Sequence, residues 1–517
     1  MADAAKVLDI SSNNNNIKKN DESTIEEKIK QRRSQELIIA LCGAVGSGVK
    51  RLKDSLSEKL VNSGYQVEHI RLSDLIAEQQ TNHSEIKSLK GFNRYKTLQD
   101  LGDKLRKDQN NSIIAEMAIR RINYTRYAKF GENTHENTKL VKTTQKVAYI
   151  LDQLKNPEEV GLLRTTYRNN FYLIGLLRNI EERRKNLREE TINENDINNL
   201  IERDRKFKDS FGQQVEDTLQ LSDYFIRNID LGEEINKSVS RFISLVHGTD
   251  HITPTRNEIG LYTAYSASLR SACLSRQVGS CIMDDEGNIL STGCNDVPSA
   301  GGGLYNAESI QDKRCYNKSG CYNDIHKKML EDQIITILKQ NNIEQAKKIA
   351  NNIMKETKAK QIIEYSRAIH AEMDAILALA RNTSTGTIGK TMYCTTYPCH
   401  SCARHIVASG IKKVVYIEPY EKSLARALHE DAICHTDSIE PGKVIFESFE
   451  GVSPNRYEKF FKYHSKRKNE NGVTKNYRII DSHHVDPSYL DTYFEYESKI
   501  VSGLNDKIGE EPERDFN

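Results

Sequence analysis

The chain has 517 residues and a mass of 59.0 kDa, more than one compact core usually takes, so two to four domains are expected. Lys+Arg 75 against Asp+Glu 73 leaves a formal net charge of +2, which excludes a protein that grips nucleic acid through bulk charge alone. Hydrophobic residues at 37% and charged residues at 29% suit globular domains with polar linkers, and no apolar run approaches the roughly 20 residues that a bilayer span needs. The N-terminal stretch MADAAKVLDISSNNNN lacks the apolar core of a signal peptide. Ten cysteines are too sparse for a disulfide scaffold, so the expected compartment is the reducing cytoplasm, with some cysteines as metal ligands or buried thiols.

Residues 1–36, with an Asn run at 13–16 and a charged stretch behind it, offer little to bury and read as a disordered tail. ELIIALCG then gives an apolar strand that opens a region over 37–245. Gly43-Ala44-Val45-Gly46-Ser47-Gly48-Val49-Lys50 follows that strand and precedes a helix, the context of a phosphate-binding loop. The register departs from the usual G-x-x-x-x-G-K-[ST]: Val49 stands in the lysine position and Lys50 in the hydroxyl position. One residue turns a helical side chain by about 100°, so Lys50 is not expected to reach the same phosphate. The candidate nucleotide-binding residues are Gly43, Gly46, Ser47, Gly48, Lys50 and Asp152, and the loop reads as degenerate. QKVAYILDQL (145–154) and FYLIGLL (171–177) read as two further buried strands, the first ending in Asp152. Arg178, Arg183 and Arg184 read by default as solvated surface charges. Residues 211–245 look helical.

HGTDHITPTRN (246–256) carries turn residues and two prolines and marks a boundary. A second domain is expected over 246–460, with a C-terminal extension over 461–517. Its expected elements are a helix over 258–276, a hairpin over 278–293 turning at Glu286-Gly287-Asn288, a helical insertion near 300–365, and helix, strand, helix and strand over 366–418. Cys315, Cys321 and His326 in the insertion form a loose C-x5-C-x4-H, read by default as ordinary thiols.

The chemistry is concentrated in His370-Ala371-Glu372 and Pro398-Cys399-His400-Ser401-Cys402, which match the H-x-E…P-C-x-x-C signature of zinc deaminases. Cys399 and Cys402 lie three apart at a helix start, so both thiols face one side, and the helix N-terminus favours the thiolate that zinc binds. Pro398 suits a first helical turn, which has no acceptor for its N–H. His370 supplies a nitrogen. Three protein ligands leave the fourth tetrahedral position open, as a catalytic Zn2+ requires, and such a metal brings the pKa of its water to about 7. Glu372, beside a ligand but not itself one, is the candidate general acid and base for attack on C4 of a cytosine ring.

The stretches 271–301 and 395–420 resemble the deoxycytidylate branch of the cytidine deaminase superfamily. With its N-terminal half, the chain over roughly 37–460 looks like the bacterial two-domain anti-phage dCTP deaminases. That resemblance implies an α/β fold, with a P-loop NTPase-like, kinase-like domain of regulatory role followed by a cytidine-deaminase-like mixed sheet flanked by helices. It implies conversion of dCTP, and in some members dCMP, to deoxyuridine nucleotides, which drains dCTP in defence against phage. Asn295 is implied as a sugar contact, although Asp296 follows it where the branch usually has glycine. Arg276 and Lys422, with Arg256 and Arg270, are candidate phosphate contacts, and Tyr397 a candidate wall of the base pocket. The implied partners are free deoxycytidine nucleotides, a nucleotide or phosphate at the N-terminal loop, a restraining RNA or protein, and further copies of the chain in a homo-oligomer; no membrane partner is expected. The alternatives are a dUMP-supplying dCMP deaminase and, from other classes, a polynucleotide editor and a nucleotide-sensing or structural protein with an inert deaminase domain.

Overall fold

In a computed structural model, the described residues are 25–130, 142–190, 192–205, 209–228, 232–318, 320–382, 385–418, 423–435, 439–462, 467–492 and 495. The expected tail over 1–36 therefore lies mostly outside them; Ile25–Gln31 is helical. Of the described residues, those up to 34 and from 488 on group as one unit and those within 35–487 as another, which holds both sheets.

The first sheet has strands β1 (Leu37–Gly43), β2 (Gln66–Arg71), β3 (Val147–Asp152), β4 (Phe171–Leu177) and β5 (Tyr224–Arg227), all parallel, in the order 2-3-1-4-5. β1 is buried along its whole length, as a central parallel strand covered on both faces must be. The two-residue period of its side chains divides it cleanly. Leu37, Ile39 and Leu41 enter a core with Leu52, Leu56 and Leu60 of the Val49–Asn62 helix, whereas Ile38, Ala40 and Cys42 face a core on the opposite side.

The second sheet is mixed. β6 (Gly279–Met283) and β7 (Ile289–Cys294) form the expected hairpin, with Gly287 at φ 95 and the Asp284 carboxylate accepting from the Asn288 N–H at 2.8 Å. β8 (Thr391–Thr396) pairs antiparallel with β6 and parallel with β9 (Lys413–Glu418), and β11 (Val444–Ser448) and β10 (Ile433–His435) extend the parallel side. The same alternation sorts its faces. Ile282, Met392, Cys394 and Val414 pack under the helices Ala371–Asn382 and His400–Ala408. Cys281, Met283, Tyr393 and Val415 pack against Leu261 and Ala264 of the Arg256–Ser268 helix, and Phe225 of β5 joins that cluster.

β5 corrects the helical reading of 211–245: a buried four-residue strand there lies between the helices Val215–Gln220 and Gly232–His247. Shortly after β11 the chain forms β12 (Gly451–Val452), antiparallel to β5, so the second half of the sequence edges the first sheet. Glu258 ties this junction. Its buried carboxylate accepts from the Thr255 N–H at 2.7 Å, from the Val452 N–H at 2.9 Å and from Arg241 at 2.6 Å, while Thr255 caps the same helix in return. Among the described residues no helix is long and apolar enough to cross a membrane.

Glu258→Ala leaves the Thr255 and Val452 backbone donors without their buried acceptor and removes the partner of the half-buried Arg241. The expected loss is about 1–3 kcal/mol of stability, measured by urea unfolding; a variant as stable as the parent contradicts the role given to this carboxylate.

Candidate active site

The face of the second sheet that carries the Ala371–Asn382 and His400–Ala408 helices brings two helix N-termini together. His370 directly precedes the first helix, and its carbonyl accepts from the Asp374 N–H at 2.9 Å. Cys399 is the N-cap of the second helix and Cys402 lies in its first turn. Pro398 therefore stands one residue ahead of the cap, and not in the first turn as its residue type alone implied. Its carbonyl is held by the Ser423 hydroxyl at 2.8 Å.

His370 Nδ1 is 3.3 Å from Cys399 Sγ and 3.4 Å from Cys402 Sγ. All three ligand atoms lie within 4.8 Å of one another, and among the described residues this is the one His/Cys/Asp/Glu group of that kind. The hydrogen bond with Cys402 and the His370 imidazole hold the Cys399 thiol down to about 4, so the cluster presents a thiolate, the form that ligates metal. One imidazole and two sulfurs are a borderline-soft donor set that fits zinc, and three donors leave one coordination position for a non-protein ligand. Zn2+ is the cofactor this site holds.

Glu372 is the second residue of its helix and is only 4% exposed. Burial pushes its carboxyl above the usual carboxylate range, against the opposing pull of His370. It lines a cavity of about 210 Å³ together with His370 and Cys399, and Asn295, Arg276 and Tyr397 line the same cavity. The structure thus brings these six of the sequence-derived residues together.

Their contacts are specific. The Asn295 side chain accepts from the Val278 N–H at 2.7 Å and donates to the Arg276 carbonyl at 2.8 Å, bracing the segment that leads into β6. Arg276 pairs with Glu418 at the end of β9. Tyr397 sits edge-on to Tyr416 and Phe446. Asp296 is not left-handed, and its carboxylate accepts from the Ala272 N–H at 2.9 Å and the Val297 N–H at 2.8 Å. Its backbone pairs with Ile369, one residue ahead of His370. The departure from glycine therefore adds a brace beside the cluster. Lys422 lies outside the described residues. Arg256 and Arg270 do not line the cavity.

The remaining candidates lie apart from this cavity. Gly43, Gly46, Ser47, Gly48 and Lys50 form the turn from β1 into the Val49–Asn62 helix, with Gly46 and Gly48 at φ 80 and 82. The protein's own side chains fill this turn. The Val45 N–H donates to Asp204 at 2.6 Å, Asn186 donates to the Gly46 carbonyl at 2.8 Å, and Asn228 to the Ser47 carbonyl at 2.9 Å. Asp204 is buried and pairs with Lys155 at 2.7 Å, which gives the loop an internal anion. Lys50 points to solvent, and Asp152 pairs with His69 at 3.5 Å. Arg178 and Arg183 are buried, contrary to the surface reading, because they pack beneath this turn; Arg183 Nε donates to the Val45 carbonyl at 3.0 Å.

Two positioning residues escaped the sequence reading. The Asp374 carboxylate accepts from the Cys294 N–H at 3.1 Å, locking the end of β7 to the His370–Glu372 turn. Gly293 lets β7 approach that helix so closely that a Cβ there collides with the Ala371 carbonyl. H-A-E-M-D places an acid two residues beyond Glu372, and a glycine in a strand marks close backbone approach; these were the available signals.

A His/Cys/Cys cluster beside a buried acid that lines one cavity, on the helical face of a mixed sheet, defines a zinc-binding α/β protein. The family model "Cytidine and deoxycytidylate deaminase zinc-binding region" matches residues 255–418. The deoxycytidylate deaminase of Enterobacteria phage T2 is 34% identical over 163 residues, 32% of this chain and 80% of the relative. That of Enterobacteria phage T4 is also 34% identical, over 78% of its length. A solved structure of dCMP deaminase from the cyanophage S-TIM5 matches 38% of this chain and 100% of its own, at 19% identity and a TM-score of 0.23. The chain belongs to the deoxycytidylate deaminase family.

Cys402→Ala removes a ligand, and elemental analysis of the purified variant is expected to find well under one zinc per chain. A full equivalent retained there contradicts the ligand assignment.

Proposed function

We propose that the protein catalyses hydrolytic deamination of free deoxycytidine nucleotides to deoxyuridine nucleotides and ammonia. The observation that carries this reading is the buried Glu372 carboxyl beside the His370, Cys399 and Cys402 donors, at the floor of a cavity. Zinc held by those donors supplies Lewis-acid activation of water.

The chain's own residues do the rest. Glu372, with its proton affinity raised by burial, takes the proton of the attacking water and returns protons to ring N3 and to the leaving ammonia. Tyr397 gives the base a wall, and Arg276, half exposed at the rim, offers a guanidinium to phosphate. Asn295 holds the 276–278 segment in shape, and its place in the cavity lining supports a contact with the sugar.

The substrate we favour is dCTP, with dCMP also accepted, and the role is depletion of dCTP in defence against phage. The resemblance of the whole chain, with its degenerate glycine-rich turn and zinc motifs, supports this. dCMP as the main substrate is the second reading, favoured by the names of the phage relatives, both deoxycytidylate deaminases.

Glu372→Gln is expected to keep zinc and to lose at least 10²-fold in turnover, the usual scale of an acid–base residue; deamination at the parent rate removes Glu372 from the chemistry. Separate incubations of the parent with dCMP, dCDP, dCTP, CTP and a cytosine-bearing oligonucleotide, followed by chromatography, test the substrate. Conversion of dCTP supports the favoured reading, conversion of dCMP alone the second, and conversion of the oligonucleotide alone contradicts both.

A further inference from the structure

A second cavity, of about 280 Å³, lies against the other side of Tyr397. It opens beyond the carboxyl ends of β4 and β5, where Leu176, Leu177, Arg227 and Asn228 line it, and it reaches the first sheet's glycine-rich turn at Ala44. Open parallel sheets bind ligands at that edge. The tail of the second sheet closes it from the opposite side, through Phe446 and His435. No residue of the zinc cluster borders it.

Its lining has two distinct chemistries. One is cationic: Arg178, Arg183, Arg205, Arg227 and Arg426 line the cavity, against one lining carboxylate, Glu216. Several of these arginines are oriented by acids around the rim. Arg178 pairs with Glu182 at 3.0 Å, Arg205 with Glu216 at 3.4 Å, and Arg227 with Glu447 at 3.3 Å and Glu450 at 3.2 Å. A guanidinium carries five N–H donors, so a pair with one acid fixes its direction. Arg426 makes no hydrogen bond or ion pair among the described residues, and its charge acts on Tyr397. The other chemistry is aromatic. Tyr397 and His435 present parallel rings, 1° between planes and 6.2 Å between centroids, with Phe446 edge-on beside them.

We propose that this cavity binds a nucleoside polyphosphate, its phosphates on the arginines and its base against the Tyr397–His435 side. Several arginines share this lining, with Arg426 among them, and bidentate arginine contacts suit a chain of phosphates better than a lone carboxylate. The flat aromatic faces suit a base. At the glycine-rich turn Asp204 accepts the Val45 N–H and Lys50 faces solvent, so the arginine-lined cavity is the better-equipped phosphate site. The site is independent of the deamination reading, since it shares only the Tyr397 wall with the zinc cavity.

The test uses the zinc-loaded full-length chain carrying Glu372→Gln, so that no ligand is turned over. Equilibrium binding is measured with dATP, dGTP and dTTP, none of which is a cytosine nucleotide, and with inorganic tripolyphosphate as competitor. At least one of the three triphosphates is expected to saturate at one per chain and to be displaced by tripolyphosphate. Adding Arg426→Gln is expected to weaken binding at least tenfold with an unchanged thermal midpoint, and Arg426→Glu to weaken it further. Saturable binding by none of the three overturns the proposal, and so does binding that survives both Arg426 variants. Loss of deaminase activity in the parent leaves these readouts intact, so failure of the deamination reading is told apart from failure of this one.

Discussion

Everything at the zinc site depends on two helix N-termini meeting beneath one sheet face. A metal ligand must be offered deprotonated and within a few ångströms of its partners, yet His370 and the two cysteines come from separate segments of the chain. The structure meets the distance requirement by placing each donor at the start of a helix, and the start of the second helix favours the Cys399 thiolate. The parallel pair β8 and β9 flanks the second helix and sets where Cys399 emerges, while β7 packs on the first helix and sets His370. Asp374, Gly293 and Asp296 are the clamps that keep those two starts in register. Glu372 is buried as a consequence of the same packing, and its burial is what raises its proton affinity.

The second constraint is the junction between the sheets. β5 is short, but its Phe225 enters the core beneath the second sheet and its edge is completed by β12. Glu258 gathers donors from the Gly232–His247 helix, from its own cap and from β12. The Asp223 carboxylate receives Arg164 at 2.7 Å and Arg456 at 2.6 Å, joining the same two stretches of sequence. The Arg-lined cavity sits in the seam that these contacts hold closed, so its walls come from both halves of the chain.

Legibility followed physical range. The zinc donors and the acid were readable because a metal site imposes local spacing that survives as a motif. β1, β3 and β4 were readable because a central parallel strand must be apolar throughout. β5 was missed because four residues between two helices carry too little pattern, and it is a strand only through its neighbours β4 and β12. The burial of Arg178 and Arg183 was missed because an arginine in a polar helical stretch looks solvated until the turn above it is seen. Asp204 as the internal acceptor of the glycine-rich turn was invisible for the same reason: nothing in the chain near Val45 announces an acid 159 positions away.

The most direct test of the account is X-ray absorption at the zinc edge of the intact chain. Two sulfurs near 2.3 Å, one imidazole nitrogen near 2.0–2.1 Å and one further light ligand are expected. That result means a centre with a position open to water beside Glu372. A shell of four protein ligands, or one with a single sulfur, contradicts it.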